Sequence, residues 1–94
     1  MKFERLIKAN DNKHKFKAIF DLDGKKKAVP FGAAGYLDYT IHKDDERKKN
    51  YIARHASRED WSNPMKPGTL SRFILWNKKS IQLSIKDYRT RFKI

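Results

Sequence analysis

The chain has 94 residues and carries 23 Lys and Arg against 11 Asp and Glu, a net charge of +12 at pH 7. A chain this short buries only about 60 to 65% of its unfolded surface, so residues 1–94 are expected to form one domain, and a two-domain enzyme built around a deep cleft is not expected. There is no cysteine for a disulfide framework, and no apolar run nears the ~20 residues of a membrane span. The start, Met1-Lys2-Phe3-Glu4-Arg5, lacks the apolar core of a secretion signal, so a soluble chain that is not secreted is expected.

The first 31 residues are predicted to be strand-rich. Phe3, Arg5 and Ile7 alternate with Lys2, Glu4, Leu6 and Lys8, and Phe16, Ala18 and Phe20 alternate with Lys15, Lys17 and Ile19. Both are the period-2 pattern of a half-buried sheet. Asn10-Asp11-Asn12-Lys13 separates the two runs as a turn, and Asp21-Leu22-Asp23-Gly24 signals a hairpin into a third strand. Pro30 cannot donate a ladder hydrogen bond, so that strand should be an edge or should end there. Residues 32–39, Gly-Ala-Ala-Gly-Tyr-Leu-Asp-Tyr, read as an irregular loop.

Helices are predicted over 43–57, 69–77 and 80–92. The first opens at Asp44 or the residue before it, with an acidic first turn and a basic body that suit the helix dipole. Asp44 with Lys48 and Asp45 with Lys49 are spaced for i,i+4 pairs. Its apolar face would be the Lys48 stem, Tyr51, Ile52 and His55. Two prolines and a glycine make residues 58–68 a connector. Leu70, Phe73, Ile74, Leu75 and Trp76 mark a short apolar helix. Ser80 is a plausible cap for a last helix whose Ile81, Ile85, Tyr88 and Phe92 recur at steps of 4, 3 and 4. The fold class is therefore α+β, a small N-terminal antiparallel meander followed by about three helices.

The charge is uneven. Residues 1–30 carry 9 basic and 4 acidic side chains (+5), residues 31–60 carry 6 and 6, and residues 61–94 carry 8 and 1 (+7). If the two ends fold side by side they form one basic surface, and if apart, two poles. The excess is larger than the net charge of magnitude 2 to 8 that keeps a small domain in solution, which points to a polyanion partner. Sequence-independent binding of nucleic-acid phosphates, DNA before RNA, is the first expectation. Its contacts would come from Lys25, Lys26, Lys27, Arg72, Lys78, Lys79, Arg89, Arg91 and Lys93. Tyr36, Tyr39 and Trp61 are candidates for stacking on unpaired bases or for anchoring a protein interface. An acidic virion protein is the alternative partner, with Tyr36, Trp61 and Arg72 as anchors.

Catalysis has little support. His14, His42 and His55 with Asp38, Asp44, Glu59 and Asp60 could serve a small metal-dependent nuclease, but the interval from His42 to His55 matches no familiar ligand spacing. His55 already lies on the apolar face of its helix. No phosphate-binding glycine loop, His-Glu-x-x-His or Gly-x-Ser-x-Gly is present. A non-enzymatic protein with no metal, no cofactor and no small-molecule substrate is expected.

From Val29 to Phe92 the chain resembles a family of small basic proteins of unknown function encoded by nucleocytoplasmic large DNA viruses. The residues that carry the resemblance are Val-Pro-Phe-Gly-Ala-Ala-Gly-Tyr (29–36), Asp-Tyr-Thr-Ile-His-Lys-Asp (38–44), Glu-Arg-Lys-Lys-Asn-Tyr-Ile-Ala-Arg-His (46–55), Glu-Asp-Trp (59–61), Gly-Thr-Leu-Ser-Arg-Phe-Ile-Leu-Trp-Asn (68–77) and Ser-Ile-Lys-Asp-Tyr-Arg-Thr-Arg-Phe (84–92). Leu37 stands where relatives are expected to have a small polar residue. The resemblance implies a viral setting, the virion or the host cytoplasm and viral factory. Within it, genome packaging and a minor capsid or virion-assembly role are the two competing expectations.

Overall fold

The computed structural model describes residues 1–94, and strands come first and helices after, as predicted. Strands β1 (Lys2–Lys8), β2 (His14–Leu22) and β3 (Lys25–Ala33) form an antiparallel meander in the order β1-β2-β3. The β2–β3 turn is Asp23-Gly24, with φ of 54° and 92°. Two left-handed residues are what a two-residue hairpin needs to follow the twist of its strands. Pro30 lies on an edge strand, as its missing N–H requires, but β3 runs past it to Ala33.

Simple alternation fails in β1. Phe3 pairs with Phe20, then the register slips so that Arg5 faces Ile19 and Leu6 faces Ala18. This bulge exchanges the faces of the following residues: Leu6 packs on the core beside Phe3, and Ile7 is left 38% exposed.

Four α-helical segments follow. They are α1 (Tyr39–His42), α2 (Asp45–Ala56), α3 (Pro67–Leu70), which continues into a π-helical turn at Ser71–Leu75, and α4 (Ile81–Phe92). The predicted loop thus ends in a helical turn, because the Asp38 carboxylate accepts hydrogen bonds from the Thr40 N–H and hydroxyl. The helix expected from 43 starts at 45, since Lys43 closes α1 with φ 54° and Asp44 caps α2 by accepting from the N–H groups of Glu46 and Arg47. The i,i+4 pairs Asp44 with Lys48 and Asp45 with Lys49 do not form. Asp44 is turned to the helix end and lies 3.8 Å from Arg47, Asp45 accepts from the Tyr39 hydroxyl, and Lys48 reaches the Asn77 carbonyl at 2.6 Å. Pro67 and Gly68, expected to break a helix, instead open α3, where a proline has no intrahelical bond to lose. Ser80 caps α4 through the Leu83 N–H.

The helices cover one face of the sheet. Phe3, Ala18, Phe20, Val29 and Phe31 pack against Leu70, Phe73, Ile74, Leu75 and Tyr88. Along α4, Ile81, Ile85 and Phe92 turn inward with Tyr88 as the spacing predicts. Tyr88 is fully buried and donates its hydroxyl to the Pro64 carbonyl at 2.7 Å. A second, smaller packing unit ties α1 and α2 to the end of the π-turn. His42, Trp76, Tyr51 and His55 form a column with ring centroids 5.3, 4.3 and 4.1 Å apart.

Candidate functional site

The Phe3 ring meets Tyr88 edge-on at 5.4 Å, and the Arg89 guanidinium lies 5.7 Å over Phe3. The N-terminal strand and the C-terminal helix are therefore neighbours, and the +5 and +7 segments adjoin instead of forming opposite poles. Phe3, Phe20 and Lys27 occupy one row across the sheet, so Arg89 and the hairpin lysines flank the same end of it. Only Arg5, Lys15, Lys26, Arg47 and Arg91 ion-pair with a carboxylate, which leaves 18 of the 23 Lys and Arg unpaired.

The nine predicted phosphate contacts do not form one patch. Lys25 and Lys27 are exposed and unpaired, whereas Lys26 between them is held by Glu4 and by Asp21 at 3.3 Å. Lys93 is exposed at the end of α4, near Arg89. Lys78 and Lys79 precede α4, where the Lys78 N–H bonds to the Ser84 hydroxyl at 2.9 Å; Lys78 lies near Asp87 and Lys79 near Asp45, so each has a carboxylate close by. Arg72 and Arg91 both lie over Phe73, at 4.8 and 4.5 Å from the ring centroid. Arg72 is half-buried and donates to the Trp76 carbonyl at 2.8 Å, and burial above all, then the Arg91 charge, pulls its pKa below the usual guanidinium value. Arg91 pairs with Asp87 at 3.3 Å. Arg72 is thus a packing residue more than a free phosphate contact, because it is half-buried against the Phe73 and Trp61 rings and one of its N–H groups is spent on the Trp76 carbonyl.

The aromatic candidates divide as well. Tyr36 is 72% exposed. Tyr39 is 5% exposed, with its hydroxyl on Asp45 and the Lys48 ammonium 4.8 Å over its ring. The hydrogen bond to Asp45, and then burial, raises the Tyr39 pKa, while the same bond lowers that of Asp45. Tyr39 therefore does not present a free face for stacking, contrary to the sequence expectation. Trp61 is half-buried, edge-on to Phe73 at 6.3 Å with Arg72 5.4 Å over it. No group of three or more His, Asp and Glu side chains converges on a point that could hold a metal ion. His42 and His55 sit at opposite ends of the ring column, and His55 is engaged by Glu59.

One feature was not foreseen from the sequence. A cleft of about 350 Å³ opens between the 32–38 segment, α2 and the π-turn. Tyr36 and Leu37, the latter 55% exposed, stand on one wall; Tyr51, Arg54 and His55 stand on another; Ser71, Leu75 and Trp76 complete it. Lys15 and Asp38 lie side by side in it, 2.5 Å apart and 14% and 3% exposed. The cleft depends on Gly32, which has φ 77° and whose absent Cβ would stand 2.7 Å from Leu75 Cδ1. The Gly-Ala-Ala-Gly-Tyr run was the available signal, but the residues that complete the site are up to 44 positions away, at Trp76.

The chain belongs to the family of unknown function DUF5754, which matches residues 4–55. No curated protein and no solved structure matches it. The matched segment runs from β1 to His55, so it contains the sheet and two walls of the cleft and ends before the basic residues of α4.

Proposed function

We propose that this protein is a non-enzymatic, sequence-independent binder of nucleic-acid phosphate backbones, DNA before RNA, acting in genome packaging or condensation in a large DNA virus. The contact of Phe3 with Tyr88 carries the reading, since it places the two basic segments side by side, with most of their cations free of carboxylate partners. Lys25, Lys27, Arg89 and Lys93 form the core of the surface. Each phosphate they neutralise releases condensed counterions, so affinity should fall steeply with salt and differ little between sequences. The test is duplex DNA binding measured from low to physiological salt. Lys25→Glu/Lys27→Glu/Arg89→Glu should reduce the slope of log K against log salt by about 3, one for each lost contact. Lys49→Glu/Arg58→Glu/Lys66→Glu, which changes exposed cations elsewhere, should weaken binding less. Equal losses in the two variants, or a wild-type affinity that ignores salt, would overturn the proposal.

A second reading, a minor capsid or virion-assembly protein with an acidic virion partner, draws support from the uncovered face of the sheet. There Ile7 and Pro30 flank Lys17, and Arg5 stands in the next row with Ile19 and Ala28. A stoichiometric amount of the protein in purified empty capsids would favour it, and absence from them would count against it.

A further inference from the structure

We infer that the cleft beneath Tyr36 is a binding site for one unstacked nucleotide, a planar base carrying a phosphate. It is separate from the basic surface proposed above and does not depend on it. Most of its wall residues have structural duties: Tyr51 is sandwiched between His55 and Trp76, Leu75 belongs to the core, and Lys15 is tied to Asp38. Tyr36, Leu37 and Arg54 have none. Tyr36 and Leu37 are 72% and 55% exposed at the mouth, although burying them would be favourable by about 1.5 kcal/mol or more each. Arg54 is exposed at the cleft and forms no ion pair.

The volume, about 350 Å³, is at the low end of the range for small-molecule sites, enough for one nucleotide and not for a duplex. Its chemistry suits that ligand at both ends. The free ring of Tyr36 offers a stacking face for a base, with the apolar Leu37 beside it. Among the residues that line the cleft Asp38 is matched by Lys15, so Arg54 is left as a five-donor fork suited to a phosphate. Ser71 Oγ makes no hydrogen bond within the protein and adds a neutral donor, and it begins the π-turn in which the Trp76 N–H bonds to the Ser71 carbonyl at 3.0 Å. Single π-turns inside helices are frequent at functional sites.

The nucleotide could be free or one unit of a single strand. Trp76 in the wall reports occupancy, so the test is fluorescence titration of the full chain with AMP, adenosine, inorganic phosphate, oligo(dA) and duplex DNA. AMP is expected to bind better than adenosine or phosphate alone. Tyr36→Ala should weaken it about tenfold, a low-end value for loss of one stacked base, and Arg54→Gln should weaken AMP but not adenosine. Tyr36 is exposed, so its replacement leaves the fold intact. Saturation by AMP with no gain for oligo(dA) identifies a free nucleotide, and tighter binding of oligo(dA) identifies a strand. The Lys25→Glu/Lys27→Glu/Arg89→Glu variant should keep AMP binding while losing duplex affinity, which separates the two sites. No binding of AMP at millimolar concentration, or unchanged affinity in Tyr36→Ala, would overturn the inference even if duplex binding holds.

Discussion

Replacing Asp38 by alanine removes the cap of α1 and, in the same step, the partner of a Lys15 ammonium that is itself only 14% exposed. Loss of a side-chain cap costs about 1 kcal/mol. Breaking a buried ion pair by deleting one member costs about 3 to 5 kcal/mol, and because the lysine stem can swing partly into the cleft and regain water, the cost here falls below that range, to about 2 to 3 kcal/mol. Asp38→Ala should therefore lose about 3 to 4 kcal/mol, measured by urea unfolding with tryptophan fluorescence. In a domain of this size that lowers Tm by roughly 12 to 30 °C. Asp38→Asn keeps an oxygen for the Thr40 N–H and should lose only the ionic part. Lys15→Met/Asp38→Asn removes the unpaired charge as well, and should recover to within about 1 kcal/mol of the starting protein. A loss below about 1 kcal/mol in Asp38→Ala, or a double variant no more stable than Asp38→Asn, would refute the argument that the cleft wall rests on this pair.

Gly32→Ala combines a positive φ with a Cβ 2.7 Å from Leu75 Cδ1, so thermal melting should report a loss of about 2 to 3 kcal/mol; a change below about 0.5 kcal/mol would mean that the strand end relaxes freely. Tyr88→Phe leaves the Pro64 carbonyl without its donor and should cost about 1 to 2 kcal/mol in urea unfolding. The Tyr51 pKa is pushed up to about 12 by burial, so in an absorbance titration its phenolate should appear well after that of an ordinary tyrosine, and Tyr51 ionising in the ordinary range would contradict its place in the ring column. Asp87 accepts from Asn77 Nδ2 at 2.7 Å, which with help from Arg91 holds its carboxyl below the ordinary 3.8. Its folded pKa is depressed, so its contribution is complete above about pH 4 and is lost as pH falls through the folded value. Asp87→Asn should lower stability at neutral pH and flatten the loss in acid, and an unchanged acid profile would show that the carboxylate contributes nothing.

Residues that act on near neighbours were legible in the sequence. The Asp23-Gly24 turn, the Ser80 cap and the inward row Ile81, Ile85, Tyr88 and Phe92 depend on interactions a few positions apart, and all stand where the local chemistry places them. Where a local rule competed with a distant contact, the distant contact won. Asp45 turned from Lys49 to the Tyr39 hydroxyl, Lys48 turned to the Asn77 carbonyl, and the bulge in β1 buried Leu6 in place of Ile7 so that the strand could follow β2. The cleft lay beyond sequence reasoning for the same reason, since Lys15, Tyr36, Arg54 and Ser71 share no periodicity.

The sequence by itself determined an α+β chain with a meander before its helices and a large basic excess at both ends, because hydrophobic period, turn residues and charge are properties of short segments or simple sums. Whether those ends meet depends on the packing of Phe3 against Tyr88, 85 positions apart, and only the tertiary structure decided it. The same packing determined which cations stay free, since a carboxylate neutralises the charge that folding brings to within a few ångströms of it, whatever the distance along the chain.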